Sequence, residues 1–206
     1  MTKQTRLIIA RHGNTFNEGE TPRRVGIGTD LPLSASGEEQ ALALGRHLKD
    51  NNILPDAVFC SHLMRTRQTA ALAMAETGQD MFIQAEGFFN EIDYGPDQIK
   101  TEDEVIARIG KDAIAAWDGD GTVPPGWNFD PTAIIEGWRD FASRVAASYP
   151  GCTILAVTSN GIARFAPYLT GDFESFRKKH DIKLKTGAFG IVTGTPWTIE
   201  TWNKRP

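Results

Sequence analysis

Leu7-Ile-Ile-Ala10, followed at once by Arg11-His12-Gly13, is the stretch from which the rest of the chain is read. A short apolar run bounded by polar residues reads as a strand buried on both faces, as in a parallel sheet. Two further stretches share this grammar. Ala57-Val-Phe-Cys60 ends in Ser61-His62-Leu63 with Arg65 close behind, and Thr153-Ile-Leu-Ala-Val-Thr158 ends in Ser159-Asn160-Gly161 with Arg164 beyond. Helical patterns alternate with them. Ser36-Gly-Glu-Glu39 offers a capping box with Ser36 as N-cap, ahead of Ala41, Leu44, Gly45 and Leu48 on one face. Thr101-Glu-Asp-Glu104 offers the same device before Val105, Ile109 and Ala113. Asp130-Pro131 opens a helix carrying Ile134, Trp138, Phe141 and Val145, which Pro150-Gly151 stops. The alternation predicts an α/β sandwich with a mostly parallel sheet, and ligands in such folds bind beyond the carboxyl ends of the strands.

The chain has 206 residues, which fits one domain or one domain with an insert. Hydrophobic residues at 40% and charged residues at 23% describe a folded chain rather than a disordered one. Lys and Arg number 22 against 26 Asp and Glu, a formal net charge of −4, so the surface as a whole attracts neither nucleic acid nor anionic membrane. No apolar run approaches a membrane span, and the first residues carry no secretory pattern, so a cytoplasmic location is expected. Cys60 and Cys152 read as structural thiols. The segment 88–150 reads as a cap-like insert over the site, with a loop from Gly119 to Gly126. Gly187 to Trp202 reads as a final hairpin turning at Gly194-Thr-Pro196.

Arg11 and Arg65 would converge with Asn160-Gly161 on one sheet edge, around His12. Guanidinium forks match phosphate oxygens, and nearby arginine charge lowers a histidine pKa, keeping it neutral and nucleophilic. Taken alone, the tripeptide Arg11-His12-Gly13 is an ordinary polar loop; the convergence is what suggests an anion pocket.

Arg11-His12-Gly13-Asn14-Thr15-Phe16-Asn17 resembles the opening signature of the histidine phosphatase superfamily, the phosphoglycerate mutase-like proteins. Asp30-Leu-Pro-Leu-Ser-Ala-Ser-Gly37-Glu-Glu-Gln40-Ala41 is similar to the next block, and Ser61 to Ala70 and Asn90-Glu91-Ile-Asp-Tyr-Gly95 to the following two. The resemblance implies a single three-layer α/β/α domain over residues 1–206. It implies His12 as the nucleophile that becomes phosphohistidine, and Arg11 and Arg65 as phosphoryl-binding groups with Asn17 lining the pocket. It also implies Glu91 as the acid that protonates the leaving oxygen, Asn160 and Gly161 at the site's far edge, and no metal or other cofactor. The partner implied is a small phosphorylated substrate.

The family usually has His-Gly where this chain has Asn160-Gly161. An amide keeps an N–H donor but carries no positive charge. Three readings follow: a phosphomonoester hydrolase of reduced activity, a binding or regulatory protein that has lost turnover, and mutase-type phosphoryl transfer. The chain is shorter than the glycolytic mutases, which favours the first over the third. His62, His47 and His180 read as surface residues, and Trp127 and Phe129 as candidates for a pocket wall. Asp118-Gly-Asp120-Gly-Thr122 starts like a calcium loop but lacks its glycine and final glutamate, so it reads as a turn.

Overall fold

The computed structural model describes residues 3–206. The three apolar runs are strands: β1 (Arg6–Arg11), β2 (Ala57–Cys60) and, after the short β3 (Ile83–Ala85), β4 (Thr153–Thr158). With β5 (Phe189–Thr193) and β6 (Thr198–Lys204) they form one sheet in the order β3-β2-β4-β1-β5-β6. The first four strands in that order are mutually parallel, and the closing β5–β6 hairpin is antiparallel. Its turn holds Gly194-Thr195-Pro196, as expected.

Strand alternation sorts the apolar residues into two cores, one on each face. Leu7, Ile9, Phe59, Ile154 and Ala156 pack with α5 (Pro131–Ser148), whose buried face is Ile134, Trp138, Phe141 and Val145. Ile8, Ala10, Val58, Leu155 and Val157 pack on the other side with α1 (Ala35–Asp50) and α2 (Met64–Thr77). The result is a helix–sheet–helix sandwich.

Local details depart from the sequence expectations in three places. The N-cap of α1 is Ser34, whose hydroxyl accepts from Gly37 N–H, not Ser36. Tertiary contact decides this, because Asn14 O takes the Ser34 N–H at 2.9 Å and starts the helix two residues early. The pattern through Val105, Ile109 and Ala113 is two helices, α3 (Glu102–Ile109) and α4 (Lys111–Asp120), broken at Gly110. That residue sits at φ +85°, ψ 158°, a conformation open to glycine alone. The helix α4 then runs through Gly119 and Asp120, so the loop starts at Gly121. The caps at Thr101–Glu104 and Asp130 form as expected.

Residues 88–150 therefore have two tasks. The helix α5 lies against the sheet, with Phe141 edge-on to Phe59 at 5.1 Å, while Glu91, Tyr94, Glu102, Trp117 and Asp118 reach a cavity at the strand ends.

Candidate active site

The cavity, about 750 Å³, opens where β1 and β4 end, and His12, Arg11 and Asn160 line it together with Glu91. The loop after β1 is gripped from both sides. Asn14 N–H donates to Gln40 of α1, Gly13 N–H donates to Thr69 of α2, and His12 N–H donates to Thr158 O of β4. The glutamine and threonine thus hold the histidine loop in place rather than touching a ligand.

His12 is buried, and its Nδ1 lies 2.7 Å from Gly13 O. A carbonyl only accepts, so Nδ1 carries the proton and Nε2 keeps its lone pair. Burial, then the Arg65 and Arg11 charges, hold its pKa well below the usual histidine value. The ring is neutral at pH 7.

Arg11 donates through Nη1 to Leu184 O at 2.8 Å, and its buried Nε has no partner. Arg65 is fully buried and reaches the carbonyls of Thr29 and Val25, with Nε likewise unpartnered. It stands behind the cavity wall and acts on His12 and Glu91 through its charge. Asn17 lines the rim, exposed, with its side-chain amide and backbone N–H both turned to Glu20.

Glu91 is buried; Oε1 accepts from Ile92 N–H at 2.9 Å and Oε2 from the Tyr94 hydroxyl at 3.2 Å. Burial raises its pKa against the opposing pull of Ile92 N–H, Arg65, Arg11 and Arg164. Gly161 lies directly under this carboxyl. A Cβ there would stand 2.1 Å from Glu91 Oε1, so the missing side chain makes room for the acid.

Asn160 opens the short helix α6 (Asn160–Ala163), and its Oδ1 accepts Leu184 N–H at 3.0 Å. The backbone N–H needs an oxygen, which fixes the amide orientation and leaves Nδ2 for the cavity. Leu184 thus holds Arg11 by its carbonyl and Asn160 by its N–H.

Two groups at the site carry weight that the sequence reading did not assign. Tyr94 entered only as part of the Asn90–Gly95 block, yet its hydroxyl is bonded to Glu91; its spacing three residues after that acid was the available signal. Arg164, noted only for its place after β4, is fully buried and lines the cavity. The aromatic wall is Phe16, Tyr94 and Trp117 rather than Trp127 or Phe129. Trp127 packs on Tyr94 and donates to Asp97, and Phe129 packs on Trp117 and Phe165. His62 and His180 are exposed, whereas His47 is half-buried with its ring against Phe189. Among the described residues, no cluster of three or more His, Cys, Asp or Glu is arranged to hold a metal ion, and no helix is long and apolar enough to cross a membrane.

Residues 7–204 match the family described as histidine phosphatase superfamily, branch 1. A 2,3-bisphosphoglycerate-dependent phosphoglycerate mutase of Methylobacterium sp. (strain 4-46) is 38% identical over 120 residues, 58% of this chain and 57% of that protein. The corresponding mutase of Tropheryma whipplei (strain Twist) is 28% identical over 155 residues, covering 70% and 69%. The chain thus spans between about half and two thirds of the length of these curated relatives. Among solved structures, a mycobacterial glucosyl-3-phosphoglycerate phosphatase superposes with a TM-score of 0.78 at 20% identity, covering 97% of this chain and 99% of that one. The α-ribazole phosphatase of Shigella flexneri superposes with a TM-score of 0.71 at 22% identity, covering 97% and 96%. These likenesses show the fold.

Proposed function

Because the chain belongs to the histidine phosphatase superfamily, we propose that it is a metal-independent phosphomonoesterase working through a phosphohistidine on His12. The observation that carries this reading is the pairing of opposite protonation states in one cavity: a histidine held neutral with Nε2 free, and a buried carboxyl pushed towards its protonated form. Nε2 attacks phosphorus in line as the bond to the leaving oxygen breaks, and that oxygen takes the Glu91 proton. The Glu91 carboxylate then accepts a proton from water as the water attacks the phosphohistidine. Phosphate leaves, and both residues return to their starting forms.

In this reading Arg11 and Arg65 balance the phosphoryl charge, and Asn160 Nδ2 gives one neutral hydrogen bond where the family resemblance implies a second histidine. A neutral donor in that position favours slow turnover, and it also supports a second reading in which the protein binds phosphate esters without useful hydrolysis.

Single-turnover reaction with an aryl phosphate, with acid-quenched capture of the phosphoprotein, separates the two. The parent should form and discharge phosphohistidine, His12→Ala should do neither, and Asn160→His should be faster by between ~10- and ~10²-fold, less than the full value of one lost donor. A parent as inert as His12→Ala that still binds phosphate would establish the binding reading instead.

A further inference from the structure

In the proposed reaction Glu91 gives up a proton and later takes one back, and its two oxygens are not equivalent for that work. Oε1 is shut in: it accepts Ile92 N–H at 2.9 Å, and a Cβ on Gly161 would stand 2.1 Å from it. A backbone N–H only donates, so Oε1 stays an acceptor and the mobile proton belongs on Oε2. Oε2 meets the Tyr94 hydroxyl at 3.2 Å, and that hydroxyl makes no other hydrogen bond among the described residues. A phenol oxygen both donates and accepts, which the Ile92 N–H cannot do.

We propose that Tyr94 is a positioning residue for the acid, holding Oε2 in both proton states by reversing one hydrogen bond, so that a single oxygen serves both proton transfers. This rests on the phosphomonoesterase reading. Before phosphorylation Oε2–H donates to Tyr94 Oη, and it turns to the leaving oxygen as the ester bond breaks. The carboxylate that remains accepts Tyr94 O–H. When water attacks the phosphohistidine, its proton goes to Oε2, and the Tyr94 O–H turns back to the cavity that its side chain lines. Tyr94 keeps its own proton throughout, because burial, then the Glu91 charge, push that hydroxyl further from ionising.

The ring is held so that little but the O–H can move. Trp127 meets it edge-on at 4.6 Å, and Trp127 Nε1 is pinned to Asp97 Oδ2 at 2.7 Å. Asp97 is itself buried and paired with Arg108. The Arg24 guanidinium lies 5.7 Å from the Tyr94 ring centre, and a Cβ on Gly26 would come within 2.9 Å of Tyr94 Cδ2. The charges that face Glu91 are Arg11 at the end of β1, Arg65 of α2 and Arg164 after α6. Arg24, Arg164 and Arg11 face Tyr94, and neutral His12 shares the cavity. Among the described residues, none of these side chains donates a hydrogen bond to either Glu91 oxygen. The bond from Tyr94 to the carboxylate is charge-assisted and the reverse bond from the neutral acid is not. The hydroxyl therefore favours the carboxylate and holds Glu91 below where burial alone would put it.

Tyr94→Phe keeps the ring against Trp127 and removes only the oxygen. Single-turnover pH profiles then read one group twice: phosphorylation by propyl phosphate falls as Glu91 loses its proton, and discharge of the phosphohistidine rises as the carboxylate forms. Both limbs should move up by about one pH unit in Tyr94→Phe, so that discharge below the parent limb slows by about 10-fold. Phosphorylation by 4-nitrophenyl phosphate, whose leaving group needs no proton, should show no such limb in either protein. Trp127→Phe, which loses the Asp97 anchor, should move both limbs the same way by less. A loss of rate at every pH with both limbs in place makes the hydroxyl merely structural and overturns the proposal. Infrared titration reads the same pair without turnover, with Glu91→Gln as reference. In the parent, the Tyr94 C–O stretch should switch from its acceptor to its donor form at the Glu91 midpoint. A stretch that ignores that midpoint overturns the proposal even if no Tyr94 variant folds. A switch seen in a protein that never forms phosphohistidine supports the pairing and sinks the hydrolase reading alone.

Discussion

In the proposed mechanism His12 and Glu91 must hold opposite protonation states at one pH, and burial drives both in the useful direction. His12 works when neutral, and its lowered pKa keeps it so well below the ordinary histidine range. Glu91 works as an acid when protonated, and its raised pKa extends that form above the ordinary carboxyl range. Phosphorylation should therefore rise with pH through the lowered His12 value and fall as pH passes the raised Glu91 value. Glu91→Gln should lose the falling limb and ~10²–10⁴ in rate with an alkyl ester, as read by the single-turnover pH profile. An unchanged falling limb would show that another group titrates there. Gly161→Ala tests the same acid from below. Its Cβ needs the space of Glu91 Oε1, so turnover should drop by about 10²-fold or more while phosphate affinity, measured by calorimetry, stays within a few-fold.

At the scale of elements, Ser34 rather than Ser36 starts α1. Ser34→Ala should lower stability by about 1 kcal/mol in urea titration, and Ser36→Ala by less than about 0.5 kcal/mol; the reverse order would restore Ser36 as the cap. Strands β1, β2 and β4, the α5 face and the terminal hairpin were legible because each is a local pattern of apolar residues between turn or cap signals. The cap at Ser34 was not, because a distant carbonyl, Asn14 O, selects it. The break at Gly110 escaped for a related reason: apolar spacing continues across it, and only the backbone angle reveals the turn. In the site, His12, Arg11, Glu91 and Asn160 were legible from motif order, and all four line the cavity. Arg164, Trp117 and Leu184 were not, since their roles depend on α4 and residue 184 meeting the end of β4 in space.

For the molecule as a whole, clustered buried cations tie stability to anions. Phosphate or vanadate at about 100 times its Kd should add ~2.7 kcal/mol, seen as a rise in Tm that chloride at equal ionic strength does not give. Equal effects of the two salts would mean that the cavity recognises no anion. The order of the sheet has another consequence. Strand β1 is made before its neighbours β4 and β5 and lies between them, and Arg6 pairs with Thr153 on one side and Thr193 on the other. At ~5–20 residues per second, a ribosome takes several seconds to supply those neighbours. Until then the segment Leu7 to Ala10 has no partner strand, and His12 has neither Asn160 nor Leu184 nearby. Chains stalled before residue 150 should stay protease-sensitive and chemically silent, so the proposed phosphate-handling centre assembles only after β4, residue 184 and β5 have been made, in a single late step.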